Sequence, residues 1–293
     1  MPSASQLLQY VISGVTVGSI YGLTGLGFTM IFNTTEIINF AQGEFVMLGG
    51  MLAVFALGKG LPLPAAVGAA VLLVTALGVA VDRLTIRPVR GQSGLNLVII
   101  TIGLSILLRG ATILLFGKDT FSLPPFTGGG PLEVWGATLL PQSLWVVGIA
   151  TVTLVAMKVF FDRTIVGKAM LACSYDRRAA SLVGISVDSM VTLSFALSAL
   201  VGALGGAILA PITLTSYDVG ILLGVKGFAA CILGGLGNPF GAALGGLLLG
   251  VLESLCAGLL SSAYKDAVSF VLLLLLLFFR PSGLFGRGRA ERV

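Results

Sequence analysis

The sequence contains no histidine at all. That absence removes imidazole acid–base chemistry, His-ligated metal and every His-containing catalytic triad in one step. Charge is scarce as well. Lys and Arg number 17 and Asp and Glu 12, so only 10% of the 293 residues are charged, against roughly 25% in soluble domains. A soluble fold of this length could not cover its surface with so few. Cysteine is rare: Cys173, Cys231 and Cys256 lie far apart, form no CxxC pair, and read as small buried hydrophobes. No GxxxxGK[ST] loop occurs, so the chain has no P-loop of its own with which to hydrolyse ATP. From Met1 to Gln9 there is no Lys or Arg, so the first apolar run lacks the basic region of a signal peptide, and it continues for more than about 20 residues, long enough to span. An enzyme is not expected, nor a metal or organic cofactor.

What is present is apolar. Hydrophobic residues make up 56% of the chain and the mean hydropathy is +1.06. Lipid tails accept such an outer surface, which predicts a polytopic, all-α transmembrane bundle. The 41 glycines fit this, because small residues let helix backbones approach closely in a membrane. The net charge of +5 sits in loops beside apolar runs. That is a membrane-topology pattern rather than a phosphate-binding stripe, so no nucleic-acid partner is expected.

Apolar segments fall at Leu7–Phe32, Phe45–Leu57, Leu63–Val81, Leu95–Phe116, Leu144–Phe161, Met190–Ala210, Ile221–Leu236, Gly241–Leu260 and Ala263–Phe279. This gives eight or nine membrane segments in a single transmembrane domain, 1–293. Phe45–Leu57 and Ile221–Leu236 are short for a full crossing, and short interrupted segments in the two halves of a transporter point to the translocation route. Basic residues cluster at Arg83, Arg87 and Arg90, at Lys158, Arg163, Lys168, Arg177 and Arg178, and in the tail at Arg280, Arg287, Arg289 and Arg292. These three regions are expected in the cytoplasm, with the C-terminus there too. The Pro- and Gly-containing loop Lys118–Gln142 is expected outside, with the uncharged N-terminus on the same side.

The polar stretch 33–44 lies between two apolar runs and holds Glu36, Asn39, Gln42 and Glu44. Carboxylates this close to lipid need a cavity, a partner or water. The stretch is either a solvated connector or a re-entrant segment lining a pathway; Phe40, Ala41 and Gly43 are apolar or small for a plain loop and favour the second. The expected arrangement has Asn39 and Gln42 donating to Glu44. A second break, Gly234–Gly241, contains Gly237, Asn238 and Pro239. Its glycines superficially match a dinucleotide loop, but no soluble strand precedes them. It reads as a tight membrane turn in which Asn238 caps the helix opened by Pro239. The longest inward loop reads as a short helix from Asp176 to Val183, with Ala179 and Ala180 on it and Gly184 ending it. An ordinary amphipathic connector and a docking helix for a cytoplasmic motor both fit that pattern.

Taken together, Ile38-Asn-Phe-Ala-Gln-Gly-Glu44, Thr101-Ile-Gly103, Ala179-Ala-Ser-Leu-Val-Gly-Ile185, Gly234-Gly-Leu-Gly-Asn-Pro-Phe-Gly-Ala242 and Arg280-Pro-Ser-Gly-Leu-Phe-Gly286 resemble the permeases of high-affinity branched-chain amino acid ABC importers of the LivH type. The resemblance runs in order over nearly the whole chain and is specific as a set. It implies a multi-pass permease of a bacterial inner membrane, partnered by a second permease chain, two cytoplasmic ATP-binding subunits and a periplasmic solute-binding protein. It also implies that Ala179–Ile185 is where the ATPase docks. Leu171 departs from the pattern, since relatives carry a basic residue there. Relatives also carry urea, amides or other amino acids. A self-sufficient secondary transporter is the competing expectation, with Arg109 and Glu253 as its sparse intramembrane charges. An intramembrane enzyme has no His and no Ser-Lys or Asp-Asp pair to work with.

Overall fold

The computed structural model describes residues 3–91, 93–280 and 282–286. Arg287, Arg289 and Arg292 of the basic tail, and Pro281 of the last motif, lie outside the described residues. The chain is helical almost throughout: α1 (Ala4–Thr35), α2 (Gln42–Gly58), α3 (Leu63–Val81), α4 (Gly94–Phe116), α5 (Pro141–Arg163), α6 (Ile165–Tyr175), α7 (Arg177–Leu182), α8 (Val187–Thr213), α9 (Val219–Gly234), α10 (Pro239–Leu259) and α11 (Lys265–Phe279). Among the described residues, 7 helical stretches are long and apolar enough to cross a membrane, and α2, α6 and α9 are shorter apolar helices. All of these but α6 match the nine apolar segments within a few residues, and α2 and α9 are the two expected to be short.

Two elements differ from the sequence reading. The outer loop folds a hairpin, with β1 (Leu132–Val134) antiparallel to β2 (Ala137–Leu139) and Val134 opposite Ala137. Its turn residues Trp135 and Gly136 both have positive φ, 51° and 77°. That is the mirror-image turn whose twist suits a tight hairpin, and Trp at its first position gives no sequence signal for it. The inward loop also contains a full helix, α6, where a connector was expected. Its Gly167, Met170 and Cys173 are buried, a helical spacing of three that is too short to register as an apolar run.

Hydrogen bonds sort the loops onto two opposite ends. On one, Thr138 N–H donates to Gln9 Oε1 at 2.6 Å and Phe121 pairs with Thr215 through two backbone bonds. On the other, Arg87 and Arg90 reach Asp188 at 2.9 and 2.6 Å, and Asn33 Nδ2 donates to Gly237 O at 3.1 Å. The start of α1 therefore shares a side with the Lys118–Gln142 loop, opposite the three basic regions' described parts.

Helix α1 is the central post: 83% of its most apolar window is buried, against 22% for α5. It packs antiparallel on α10 through small residues spaced by three or four, Gly14, Gly18 and Gly22 facing Gly250, Gly246 and Ala243. A Cβ at Gly246 would run into the backbone of Tyr21 and Gly22, and one at Gly18 into Gly246 O at 2.8 Å. This close approach, rather than an oily core, holds helices together in lipid, where burying apolar surface gives no driving force.

Two outcomes follow from this packing and topology. Gly246→Val meets the α1 backbone at Tyr21 and Gly22 and should destabilise the detergent-purified protein by about 1–3 kcal/mol or more, read as a lowered Tm. Gly68→Val, at a position with nothing within 4 Å, should leave Tm unchanged; equal shifts would contradict the packing. In a cysteine-free variant, single cysteines replacing Ser5 and Gly128 should label from one side of the membrane and one replacing Arg178 from the other. Labelling of positions 5 and 128 from opposite sides would break the topology.

Candidate functional site

The chain turns between α1 and α2 at Glu36, which is exposed, and residues 39–44 then run back into the protein. Glu36 adopts a left-handed φ of 55° and its N–H donates to Phe32 O at 2.7 Å, closing α1. Ile37 N–H donates to Thr35 Oγ1 at 3.2 Å. Phe40 N–H donates to Thr101 Oγ1 at 3.2 Å, while Thr101 itself donates to Val98 O at 2.8 Å. Asn39 folds back on its own chain: its Oδ1 accepts from Ala41 N–H at 3.1 Å and its backbone O from Gln42 N–H at 3.1 Å. Short polar side chains make such local turns readily. Thr101 of the Thr-Ile-Gly motif thus pins the Ile38–Glu44 motif, joining two signatures 61 residues apart.

The reversal is deep. Asn39, Gln42 and Glu44 are 1%, 0% and 1% exposed. Glu44 meets Ser105, the midpoint of α4 (Gly94–Phe116), and Gln42 meets Ser198 near the middle of α8 (Val187–Thr213). Helix α2 therefore begins in the middle of the bundle rather than at its edge, and Asn39, Gln42 and Glu44 are shielded from solvent while Glu36 is exposed.

The expected cluster, with Asn39 and Gln42 donating to Glu44, does not form. Positions two apart on a helix point to different faces, so Gln42 and Glu44 diverge. Gln42 turns to α1 and α8: its Nε2 donates to Ser198 O at 3.2 Å, and Ser198 Oγ lies between Gln42 Oε1 and Gly27 O. Glu44 turns to α4 and α9. Ser105 Oγ donates to its Oε1 at 2.7 Å and Arg109 Nε stands 3.2 Å away. Glu44 Oε2, against the Gly220 backbone, and Asn39 Nδ2 are buried without a hydrogen-bond partner.

Arg109 and Glu253, the lone intramembrane charges of the secondary-transporter expectation, are both paired. Sequence reading missed their partners. Lys226 of α9 is 2% exposed; its Nζ lies 2.6 Å from Glu253 Oε1 and 2.6 Å from Asp266 Oδ1. Tyr21 and Ser269 hydroxyls also donate to Glu253, both at 3.3 Å. The signal was available: a single Lys in one apolar helix and a single Glu in the next demand each other.

The other predicted residues lie on the inner side, away from the reversal. Asn238 Oδ1 accepts from Gly241 N–H at 3.1 Å, capping α10 with Pro239 in its first turn, as expected. Its Nδ2 donates to Phe285 O at 3.0 Å. The segment 284–285 in turn donates to Leu233 O and Gly234 O, satisfying carbonyls that the end of α9 leaves open. The Gly234–Ala242 and Arg280–Gly286 motifs therefore form one knot, with Gly237 O held by Asn33. Asp176 caps α7, accepting from Arg178 and Ala179 N–H at 2.8 and 3.0 Å. Gly184 takes φ +87°, where a side chain is strained. Ala180 is buried and Ala179 exposed, while Leu182 and Val183 stand out at 87% and 77% exposure. Leu171, the departure from the resemblance, is half-buried against the core.

This architecture has counterparts. The chain shares the fold of one chain of a solved complex, PsaBC from Streptococcus pneumoniae in complex with Fab, at a TM-score of 0.50 and 15% identity, covering 94% of this chain and 92% of that one. It is 33% identical over 307 residues, 100% of both chains, to the high-affinity branched-chain amino acid transport system permease protein BraD of Pseudomonas aeruginosa. It is 36% identical over 304 residues, 98% of this chain and 97% of the relative, to the corresponding LivH of Escherichia coli K12. The family model described as "Branched-chain amino acid transport system / permease component" matches residues 10–277. With the central helices, the buried start of α2 and the Gly234–Ala242 break inside that span, this multi-pass membrane protein is not an enzyme but a permease, and it belongs to the branched-chain amino acid transport system permease family.

Proposed function

We propose that this chain is the membrane-spanning subunit of an ATP-driven importer of branched-chain amino acids, and that residues 1–293 form one permease domain. The observation that carries the reading is the return of the chain at Asn39, Gln42 and Glu44, buried midway along α4 and α8 in a chain that aligns end to end with permeases so named. Irregular backbone at that depth is tolerated only where it is buried in protein or lines a cavity, and interrupted helices are where transporters place their route. Asn39, Gln42 and Glu44 are accordingly assigned to the translocation pathway or its immediate support. Gly237, Asn238 and Pro239 form the second helix break, at the inner mouth.

Motive force comes from elsewhere, because the sequence has no P-loop. Two cytoplasmic ATP-binding subunits, a second permease chain and a periplasmic solute-binding protein complete the proposed complex in the lipid of a bacterial inner membrane. The basic regions and the C-terminus face the cytoplasm in this reading, and the hairpin loop and N-terminus face out. Helix α7 is then the ATPase-docking surface: Ala180 anchors it, Ala179, Leu182 and Val183 are presented outward, and Gly184 sets the bend.

Reconstituting the assembled importer in liposomes with radiolabelled leucine tests this. The wild-type complex should accumulate leucine only with ATP and binding protein. Glu44→Gln and Asn39→Ala should lower uptake several-fold in complexes that still assemble, since each disrupts buried polar contacts on the order of 1–3 kcal/mol. Wild-type uptake in both would remove the reversal from the pathway. Gly184→Val should abolish uptake and the linked ATP hydrolysis together; normal uptake there would remove α7 as the docking surface. Full competition by urea or acetamide would redirect the solute assignment.

A further inference from the structure

We infer that Arg109 is the residue that recognises the carboxylate of the solute as it passes the start of α2; this rests on the importer reading above. Arg109 lies one turn beyond Ser105, the midpoint of α4 (Gly94–Phe116), and its side chain is 25% exposed. Its Nε reaches back to Glu44 at 3.2 Å without the alignment of a hydrogen bond. The guanidinium is therefore at hydrocarbon depth, tethered on one edge and open on another. Ile102 and Ile106, on the same side of α4, are exposed beside it.

A charged group on that surface is not compatible with lipid. Insertion scales set the cost of Arg at a helix centre at about 2.5–3.5 kcal/mol, and such residues face a bundle interior or a hydrated cavity. Pairing with Glu44 neutralises the charge but leaves guanidinium N–H groups with no aligned carboxylate. What fits the open edge is a planar anion, since the guanidinium fork matches a carboxylate with two parallel hydrogen bonds. An amino acid presents such a group; urea and neutral amides do not. Glu44 is then the counter-charge that makes an unfilled Arg109 tolerable between solute passages. Thr101 Oγ1, two turns back on α4, ties the same helix to the reversal, so the cation and the break are held in fixed register.

A purely structural ion pair makes the opposite prediction, and the two separate in a double-mutant cycle. In the reconstituted importer, leucine moved per ATP hydrolysed is compared between Glu44→Gln and Glu44→Gln/Arg109→Gln. If Arg109 serves only Glu44, its removal after Glu44 is neutral costs nothing further. If it reads the solute, the ratio falls again by about tenfold or more, the scale of a lost charge-assisted hydrogen bond, while ATP hydrolysis continues. Arg109→Lys, which keeps the charge, should retain more uptake than Arg109→Gln. An unchanged ratio in the double variant overturns the inference. A second measurement uses Arg109→Cys with Cys173, Cys231 and Cys256 replaced by alanine: a water-soluble methanethiosulfonate should modify the thiol, and leucine delivered by the binding protein should slow the reaction. An unreactive thiol would mean that a protein partner seals this surface, which also overturns it. Failure of the wild-type complex to accumulate leucine would fail the importer reading itself, separately from Arg109.

Discussion

A helix interrupted inside a membrane must find partners for every backbone polar group it exposes, and that constraint organises the rest of this structure. Lipid offers no hydrogen bonds, so each unsatisfied group there costs several kcal/mol. The reversal between α1 and α2 meets the requirement with its own side chains and one neighbour: Thr35 for Ile37, Thr101 for Phe40, Asn39 for Ala41. Those residue types are short and polar because the bonds are local. The arrangement also fixes α4 against the break, since the Thr101 hydroxyl accepts from Phe40 N–H.

The same economy governs the charges. Asp82, wholly buried, is bound by Arg90 and by the Thr192 hydroxyl at 2.5 Å; Lys226 holds Glu253 and Asp266; Glu44 holds Arg109. None of these pairs is a strong source of stability, because desolvation offsets much of the attraction. They act as register marks. Asp82 meets Thr192, Arg90 meets Asp188, Glu44 meets Arg109, and Lys226 meets both Glu253 and Asp266, so each set ties different segments together. The small-residue contact of α1 with α10 supplies the attraction that the pairs do not.

Much of this was legible in the sequence. Leu63–Val81 matches α3 end to end, because a bilayer-length apolar run bounded by Pro62 and Asp82 admits one interpretation. The Asn238–Pro239 cap and the Gly184 bend were legible because their chemistry is local. What was lost was three-dimensional. That Gln42 and Glu44 face different helices follows from helix geometry once α2 is known to start at Gln42, a boundary that the apolar run beginning at Phe45 conceals. Lys226 was hidden by its surroundings: one charge among apolar residues barely alters a hydropathy profile. Helix α6 and the hairpin were missed because neither is long enough to show a period.

The remaining step concerns how the inner face and the reversal are joined. Helix α8 begins just after Gly184, and Asp188 in its first turn holds Arg87 and Arg90. Further along the same helix, Ser194 accepts from Thr34 at 2.7 Å and Ser198 accepts from Gln42 Nε2 through its carbonyl. One rigid rod thus touches the proposed docking segment, the basic loop before α4, the end of α1 and the start of α2. A helix with a packed interior shifts as a unit, so a displacement delivered at α7 acts on both sides of the reversal at once. With 72% of its apolar window buried, α8 has little room to move without moving them. A route gated at Gln42 would then need no separate signalling element, because the helix that follows the docking segment is the helix that holds the break in place.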